Sequence, residues 1–154
     1  MRGRAGVAAM IAAAALLTLA PACSRTAFAA DAIAKLANIE GKTLIRQKGE
    51  AIWRAAAEGE AIEPGASVKT LSNSAAQAVF AKGGAVDILP MTEVVFDIVE
   101  KNGLKSIAMS LEAGRAFLRA EDEEGAAQFV IKAGNAAFRA RNASVFVEVE
   151  ENGG

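Results

Sequence analysis

Residues Gly59 to Thr70 read GEAIEPGASVKT, and this stretch decides the fold class. Its Pro64-Gly65 pair is a turn signal, because proline presets one turn torsion and glycine accepts a positive φ. Short segments with alternating apolar residues flank the pair. A two-residue alternation between turn signals is typical of short β-strands. The stretch therefore predicts two strands joined by a tight turn.

Similar turn signals recur along the rest of the chain. They lie roughly 8 to 20 residues apart, a spacing typical of successive short strands. Asn-Gly and Gly-Gly pairs favour two-residue hairpins, which imply antiparallel neighbours. The further signals are Lys48-Gly49, Ser72-Asn73-Ser74, Lys82-Gly83-Gly84, Asn102-Gly103, Glu124-Gly125, Gly134-Asn135 and Asn142. Asp31–Ala37 is open to a helical interpretation, as are, more weakly, Ser110–Glu123 and a single helical turn at Ala55–Glu60.

The apolar residues between these turns alternate with polar ones, which assigns them to one face of each strand. We expect an all-β single domain of about ten short, mainly antiparallel strands. Two arrangements close such a core, a sandwich-like one and a rolled or solenoid-like one. The expected inward sets are Val94, Phe96 and Ile98; Ile107, Met109 and Leu111; Phe129 and Ile131; and Val145, Val147 and Val149.

The first residues have the features of an export signal. Arg2 and Arg4 precede an apolar run over 7–20, and small-residue cleavage sites follow. Cleavage after Ala29 would release a periplasmic or secreted chain. The alternative is a lipid anchor on Cys23, the single cysteine, which would be the only route to a membrane. We expect a signal peptide at 1–29, a lead-in at 30–38, the β domain at 39–150 and a flexible tail at 151–154.

The composition argues against nucleic-acid binding and against enzyme activity. Residues 30–154 carry 14 basic and 18 acidic residues, a formal charge of −4, so nucleic acid is not an expected partner. The sequence has no histidine and no tyrosine. It therefore lacks the usual general base and the Ser-His and Cys-His nucleophile pairs. We expect no enzyme activity, no catalytic residue, no metal site and no cofactor. The acidic run 121–124 is interpreted as a hairpin tip and not a calcium loop.

A few residues are candidates for partner binding. Trp53, the single tryptophan, either packs on a small core or offers a ring on which a sugar stacks. Arg139 and Arg141 share one strand face and, with Arg115 and Arg119, either form an anion patch or lie on ordinary solvated faces. Val145 and Val147 belong to the last strand, whose 144–150 edge is open to pairing with a partner strand.

Several motifs occur in an order that suggests a family. They are Ile39-Glu40-Gly41, Trp53, GEAIEPGASVKT, the stretch Ala76–Phe96 with Gly83-Gly84 and Pro90, LEAGRAF at Leu111–Phe117 and FVIKAGNAAFRAR at Phe129–Arg141. Together they resemble the FecR domain, named for the ferric-citrate regulator, over residues 39–149. The resemblance implies a periplasmic β domain.

Two departures from the family pattern affect the functional expectation. Asn142-Ala143 stands where the family usually has Gly-Thr, and asparagine tolerates the left-handed conformation that glycine supplied. Few residues precede the apolar run, so no cytoplasmic sigma-factor-binding segment is expected. We expect a noncatalytic envelope module that binds a protein or a cell-wall polymer. The alternative is a periplasmic sensor component that acts with a separate membrane signalling protein. The sequence does not indicate an oligomeric state.

Overall fold

The computed structural model describes residues 32–121 and 128–150, and these residues form strands and turns without a helix. The predicted all-β class is confirmed. Twelve strands are present, two of them only two residues long. They are β1 Ala34–Glu40, β2 Thr43–Arg46, β3 Arg54–Ala55, β4 Ala61–Ile62, β5 Ser67–Thr70, β6 Ala75–Phe80, β7 Ala85–Ile88, β8 Glu93–Lys101, β9 Leu104–Ala120, β10 Gln128–Ala133, β11 Ala136–Ala140 and β12 Ala143–Val149.

The strands make one curled sheet that divides into two halves. Half A runs in the order β4-β1-β6-β7-β9, with β12 on the other side of β9. Half B runs β3-β2-β5-β8-β9, followed by β10 and β11. All pairings are antiparallel except that of β9 with β10. The described strands are therefore rolled, and they do not form the stacked parallel coils of a solenoid.

Strand β9 belongs to both halves because it bends at Gly114. Its first part pairs with β8 up to Ala113, and its second part, from Gly114, pairs with β12. The β8 register shifts beside the bend, and Gly114 has φ +88°, a conformation that side chains rarely tolerate. The bulge and the glycine together turn the strand from one half to the other.

Two buried threonines fix this bend. The Thr92 hydroxyl accepts a bond from the Arg115 N–H at 3.0 Å and lies 3.0 Å from the Arg115 carbonyl oxygen, to which it can donate. The Thr92 N–H donates in turn to the Thr70 hydroxyl at 3.1 Å, and that hydroxyl donates to the Leu89 carbonyl at 2.6 Å. These bonds satisfy backbone groups that the bend leaves without a strand partner.

The core lies between the two halves. The aromatic ring of Phe80 in half A packs against Phe129 and Phe96 in half B, with centroid distances of 4.9 and 6.2 Å. Buried aliphatic residues surround these rings, among them Leu36, Ile62, Val86, Ile88 and Leu118 of half A and Ile45, Val68, Val94, Met109 and Ile131 of half B. The expected inward faces are confirmed, except that Ile98 is 37% exposed where β8 extends past the core.

The folded region includes residues before Ile39. Strand β1 begins at Ala34, inside the stretch 30–38 that we expected to lead into the domain. Ala34 and Leu36 are buried in the core. The same strand occupies the first segment that was open to a helix, because pairing with β6 places alternate residues of β1 inside the roll. Residues 1–31, 122–127 and 151–154, which include the predicted signal peptide, Cys23, most of the acidic run and the expected tail, lie outside the described residues.

Two identical substitutions are expected to have opposite effects on stability. Thr92→Val leaves the Arg115 N–H without its hydrogen-bond acceptor, although the Arg115 carbonyl keeps its bond from the Leu89 N–H, and this lowers the free energy of unfolding by about 1 to 3 kcal/mol. The hydroxyl of Thr43 is buried and has no hydrogen-bond partner among the described residues. Thr43→Val is therefore expected to leave the free energy of unfolding unchanged or to raise it by about 1 kcal/mol. Urea denaturation of both variants checks this pair, and equal losses would contradict it.

Candidate functional site

The structure distributes the predicted binding residues over two separate surfaces. Trp53 lies just before β3, at one end of half B. Arg139 lies in β11, which pairs with β10, and Val145 and Val147 lie in β12, which pairs with β9. No single site therefore contains all of them.

The first surface is the free edge of β12, which we call the β12 edge and define as residues 143–149. β12 pairs in register with residues 114–120 of β9, and within residues 32–121 and 128–150 no strand pairs with its other side. The other free edges in this part of the chain are β3 and β4, with two residues each, β11, with five, and the last five residues of β8, 97–101, which have a strand partner only in β9. The seven-residue β12 edge is the longest stretch with strand-forming backbone groups available.

The side chains of β12 alternate between the core and solvent. Val147 is only 5% exposed, and Val145 and Val149 pack against the core. These valines hold the strand in place, so their side chains are not presented to a partner. Ser144, Phe146 and Glu148 share the outward face instead.

Phe146 is the exposed apolar residue of this surface, and the sequence analysis did not single it out. Its side chain is 55% exposed, and Phe117 lies directly opposite it on β9. Position alone would have identified Phe146, because it alternates with the inward valines. An exposed aromatic residue on a free sheet edge favours a second strand with an apolar side chain.

The middle of the same outer face is polar and internally paired. Arg119 forms an ion pair with Asp87 at 3.3 Å, and the Gln77 amide donates to Asp87 at 2.6 Å. The Asn38 side-chain amide donates to the Gln77 carbonyl oxygen at 3.1 Å. This network leaves Phe146, at the margin, as the prominent apolar group of the β12 side.

The arginines considered as an anion patch do not share a face. Arg115 and Arg119 lie on the outer side of half A, because they alternate with the buried residues Ala116 and Leu118. Arg139 lies opposite Val130 on the outer side of half B. It borders a shallow groove beside the β8–β9 hairpin tip, lined by Lys101, Asn102, Leu104, Ser106, Gln128 and Arg139. Arg139 therefore does not join Arg115 and Arg119 in one patch, and Arg141 follows the end of β11 and does not share a strand with Arg139.

The second surface surrounds Trp53, which we call the Trp53 corner and define as Arg46, residues 52–54 and Lys69. The Trp53 ring is half-buried and is not among the residues packed against the core cluster. The Arg46 guanidinium carbon lies 4.6 Å from the ring centroid, and the Lys69 ammonium lies 5.9 Å from it. Cationic residues of β2 and β5 therefore hold the ring on the outer side of half B, apart from the core cluster.

Acidic residues pair with some of the neighbouring cations. Glu93 forms an ion pair with Lys69 at 3.3 Å, and Glu60 and Glu50 both contact the Arg54 guanidinium. The hydrogen bond that Arg54 donates to the Glu60 carboxylate raises the pKa of Arg54, so this guanidinium stays charged. Ile52, next to the tryptophan, is 78% exposed.

The described residues present no group of three or more His, Cys, Asp or Glu side chains that could hold a metal ion. A search of the same residues also finds no helix long and apolar enough to cross a membrane.

Comparison with known proteins gives one family. No curated protein and no solved structure matches the chain. Residues 66–154, more than half of the chain, match the family model described as FecR protein. The matched range begins at Ala66 in the turn before β5 and includes the bend of β9 and the β12 edge. The resemblance inferred from the sequence motifs is confirmed, and the chain belongs to the FecR family.

Proposed function

We propose that this protein is a noncatalytic module of the bacterial envelope that binds a protein partner through the β12 edge. The FecR family suggests a regulatory or signalling component of the periplasm, which supports a location in the cell envelope. The export signal predicted at 1–29 supports the same location, with a soluble chain or a lipid anchor at Cys23 as the two forms. The absence of histidine and tyrosine from the sequence supports binding in preference to catalysis.

The observation that carries the proposal is the free seven-residue edge of β12 with Phe146 exposed on it. An unpaired strand edge offers backbone N–H and C=O groups at regular spacing, and an added peptide strand satisfies them. A polysaccharide has no backbone amide series that matches this spacing. The edge has neither lysine nor proline, which proteins commonly use to prevent pairing of exposed strands, and Glu148 is its single charged residue. A protein strand is therefore the better occupant.

The second candidate function is a sensor component that acts with a separate membrane signalling protein. Family membership favours it, because the family is regulatory. The two candidates share the binding surface and differ in the partner. Recovery of a membrane-embedded signalling protein would support the sensor role, and recovery of a periplasmic or wall-attached protein would support the simpler binding module.

Phe146→Lys is expected to reduce recovery of the partner from crosslinked intact envelopes by tenfold or more. A lysine on the outward face of an edge strand opposes the addition of another strand and removes the exposed ring. Val147→Pro is a weaker test, because Val147 is buried and its loss would damage the core. Quantitative mass spectrometry of the recovered complexes measures the effect and also identifies the N-terminal residue, Ala30 or a lipidated Cys23.

Val79→Lys is the matched control. Val79 is 38% exposed on the outer face of the same half, but its strand β6 is paired on both sides by β1 and β7. This variant is expected to retain the partner. Equal recovery with Phe146→Lys and Val79→Lys, both still folded, would exclude the β12 edge as the binding surface.

A further inference from the structure

The Trp53 corner has features of a ligand site that do not depend on the β12 edge. Its ring is the only tryptophan of the chain, yet it contributes nothing to the core cluster. Two cationic side chains from two adjacent strands lie within 6 Å of its centroid, at 4.6 Å for Arg46 and 5.9 Å for Lys69. Such an arrangement on a surface contributes only about 0.5 to 1 kcal/mol for each cation, so stability does not require it.

The charges of the corner leave one cation uncompensated. Lys69 is paired with Glu93, and Arg54 is paired with Glu50 and Glu60. Arg46 forms no ion pair within the described residues, where its guanidinium lies over the face of Trp53. A guanidinium stacked on an aromatic ring keeps its N–H groups in its own plane, where they can bind a carboxylate with two parallel bonds.

The loop beside the corner is held in place before any ligand binds. The Gln47 side-chain amide donates to the Ala61 carbonyl at 2.8 Å, and its oxygen accepts a bond from the Glu63 N–H at 3.3 Å. The Gln47 N–H donates to the Glu50 carboxylate at 2.8 Å. Because the loop is fixed, little conformational entropy is lost when the corner binds a ligand.

We propose that the Trp53 corner binds a polysaccharide whose sugar rings carry carboxylates. The Arg46 guanidinium holds one carboxylate, and the exposed part of the Trp53 ring, with the adjacent Ile52 side chain, receives the apolar face of a sugar. One uncompensated cation suits a polymer with one charge per ring. The neighbouring Glu50, Glu60 and Glu93 oppose densely charged polyphosphates and nucleic acids.

The test uses Trp53 as its own reporter. The chain has one tryptophan and no tyrosine, so emission excited at the red edge of the absorption band comes from Trp53 alone. Tri-galacturonate is titrated into the purified protein, and its methyl ester serves as the uncharged probe. We expect a saturable change in Trp53 emission with the acid. The affinity for the ester should be at least tenfold lower than the affinity for the acid. Equal binding of both, or no change with the acid, would overturn the proposal.

Variants separate the role of Arg46 from general surface charge. Arg46→Gln is expected to weaken tri-galacturonate binding about tenfold or more, because a charge-assisted bidentate contact is lost. Arg46→Lys is expected to recover only part of the affinity, since an ammonium lacks the planar fork. Lys132→Gln, on the same outer face at the β10 end, is expected to leave affinity unchanged. Equal losses in Arg46→Gln and Lys132→Gln would refute the site.

The source of the natural polymer is distinguished by sedimentation with purified cell-wall sacculi. Binding of tri-galacturonate without sedimentation would assign the ligand to an extracellular uronate polymer and uphold the proposal. Sedimentation that Arg46→Gln reduces would instead indicate the carboxylates of the wall peptides and overturn it, because the carboxyl group of muramic acid is amide-linked in sacculi. The Phe146→Lys variant retains the Trp53 corner, so its carbohydrate binding is expected to stay intact. The outcome at this corner is thus independent of the outcome at the β12 edge.

Discussion

Replacement of Gly114 by alanine is expected to lower the free energy of unfolding by about 2 to 5 kcal/mol, because steric overlap adds to the cost of a positive φ. Gly114 has φ +88°, and a Cβ built on it would lie 2.6 Å from the Thr92 Cα. It would also collide with the Met91 carbonyl and the Thr92 hydroxyl. Thr92 cannot withdraw without breaking its bonds to Arg115. The substitution therefore disrupts the bend that joins the two halves.

Gly103→Ala is the matched control for this prediction. Gly103 also has a positive φ, +75°, but nothing lies within 4 Å of its built Cβ. Gly103→Ala should therefore lower the free energy of unfolding by only about 1 kcal/mol, the cost of a positive φ for alanine. Urea denaturation followed by circular dichroism measures both variants. A Gly114→Ala protein as stable as Gly103→Ala would contradict the close packing of the bend.

The second large effect is expected at Phe80, where alanine should cost about 3 to 5 kcal/mol. Phe80 is 3% exposed. Its ring, on half A, contacts the rings of Phe96 and Phe129 on half B. Its removal eliminates those contacts and leaves a cavity that rigid strands on both sides cannot fill. The two halves should then separate more easily in denaturant.

Phe146→Ala provides the same chemical change at an exposed site. Phe146 is 55% exposed on the edge strand, so its truncation should change stability by less than about 1 kcal/mol. Thermal unfolding of the two variants gives the comparison. If both lost similar stability, the assignment of Phe80 to the shared core and of Phe146 to the surface would be wrong.

Local sequence signals predicted the strands and their inward faces well. The Asn102-Gly103 pair indicated a hairpin, and the two residues do join β8 to β9 with φ of 54° and 75°. The alternation at Val94 and Phe96 identified buried positions. Such signals succeed because turn chemistry and period-two burial act within a few residues of the chain.

Features that depend on distant parts of the chain were not predictable in the same way. Gly114 carries the same signal as a turn glycine, but it lies inside a continuous seventeen-residue strand. The parallel pairing of β9 with β10 joins segments whose sequences carry no mark of direction. The helix-compatible segment at the start became β1 because β6 buries its alternate residues.

The candidate sites show the same division. The sequence indicated the last strand as an open edge, and the position of β12 at the margin of half A agrees with that interpretation. It singled out Val145 and Val147, which face inward, and not Phe146, which faces outward. Trp53 was noticed for its rarity, but its place beside Arg46 and Lys69 depends on the pairing of β2 with β5.

The most direct test of the central claim is amide hydrogen exchange of residues 143–149 in the free protein and in the complex recovered from intact envelopes. If a partner strand pairs with the β12 edge, the amides that point away from β9 should exchange at least tenfold more slowly in the complex. Amides of β6, which is already paired on both sides, should exchange at the same rate in both states. Unchanged exchange over 143–149 in a complex that remains intact would contradict the proposed mode of binding.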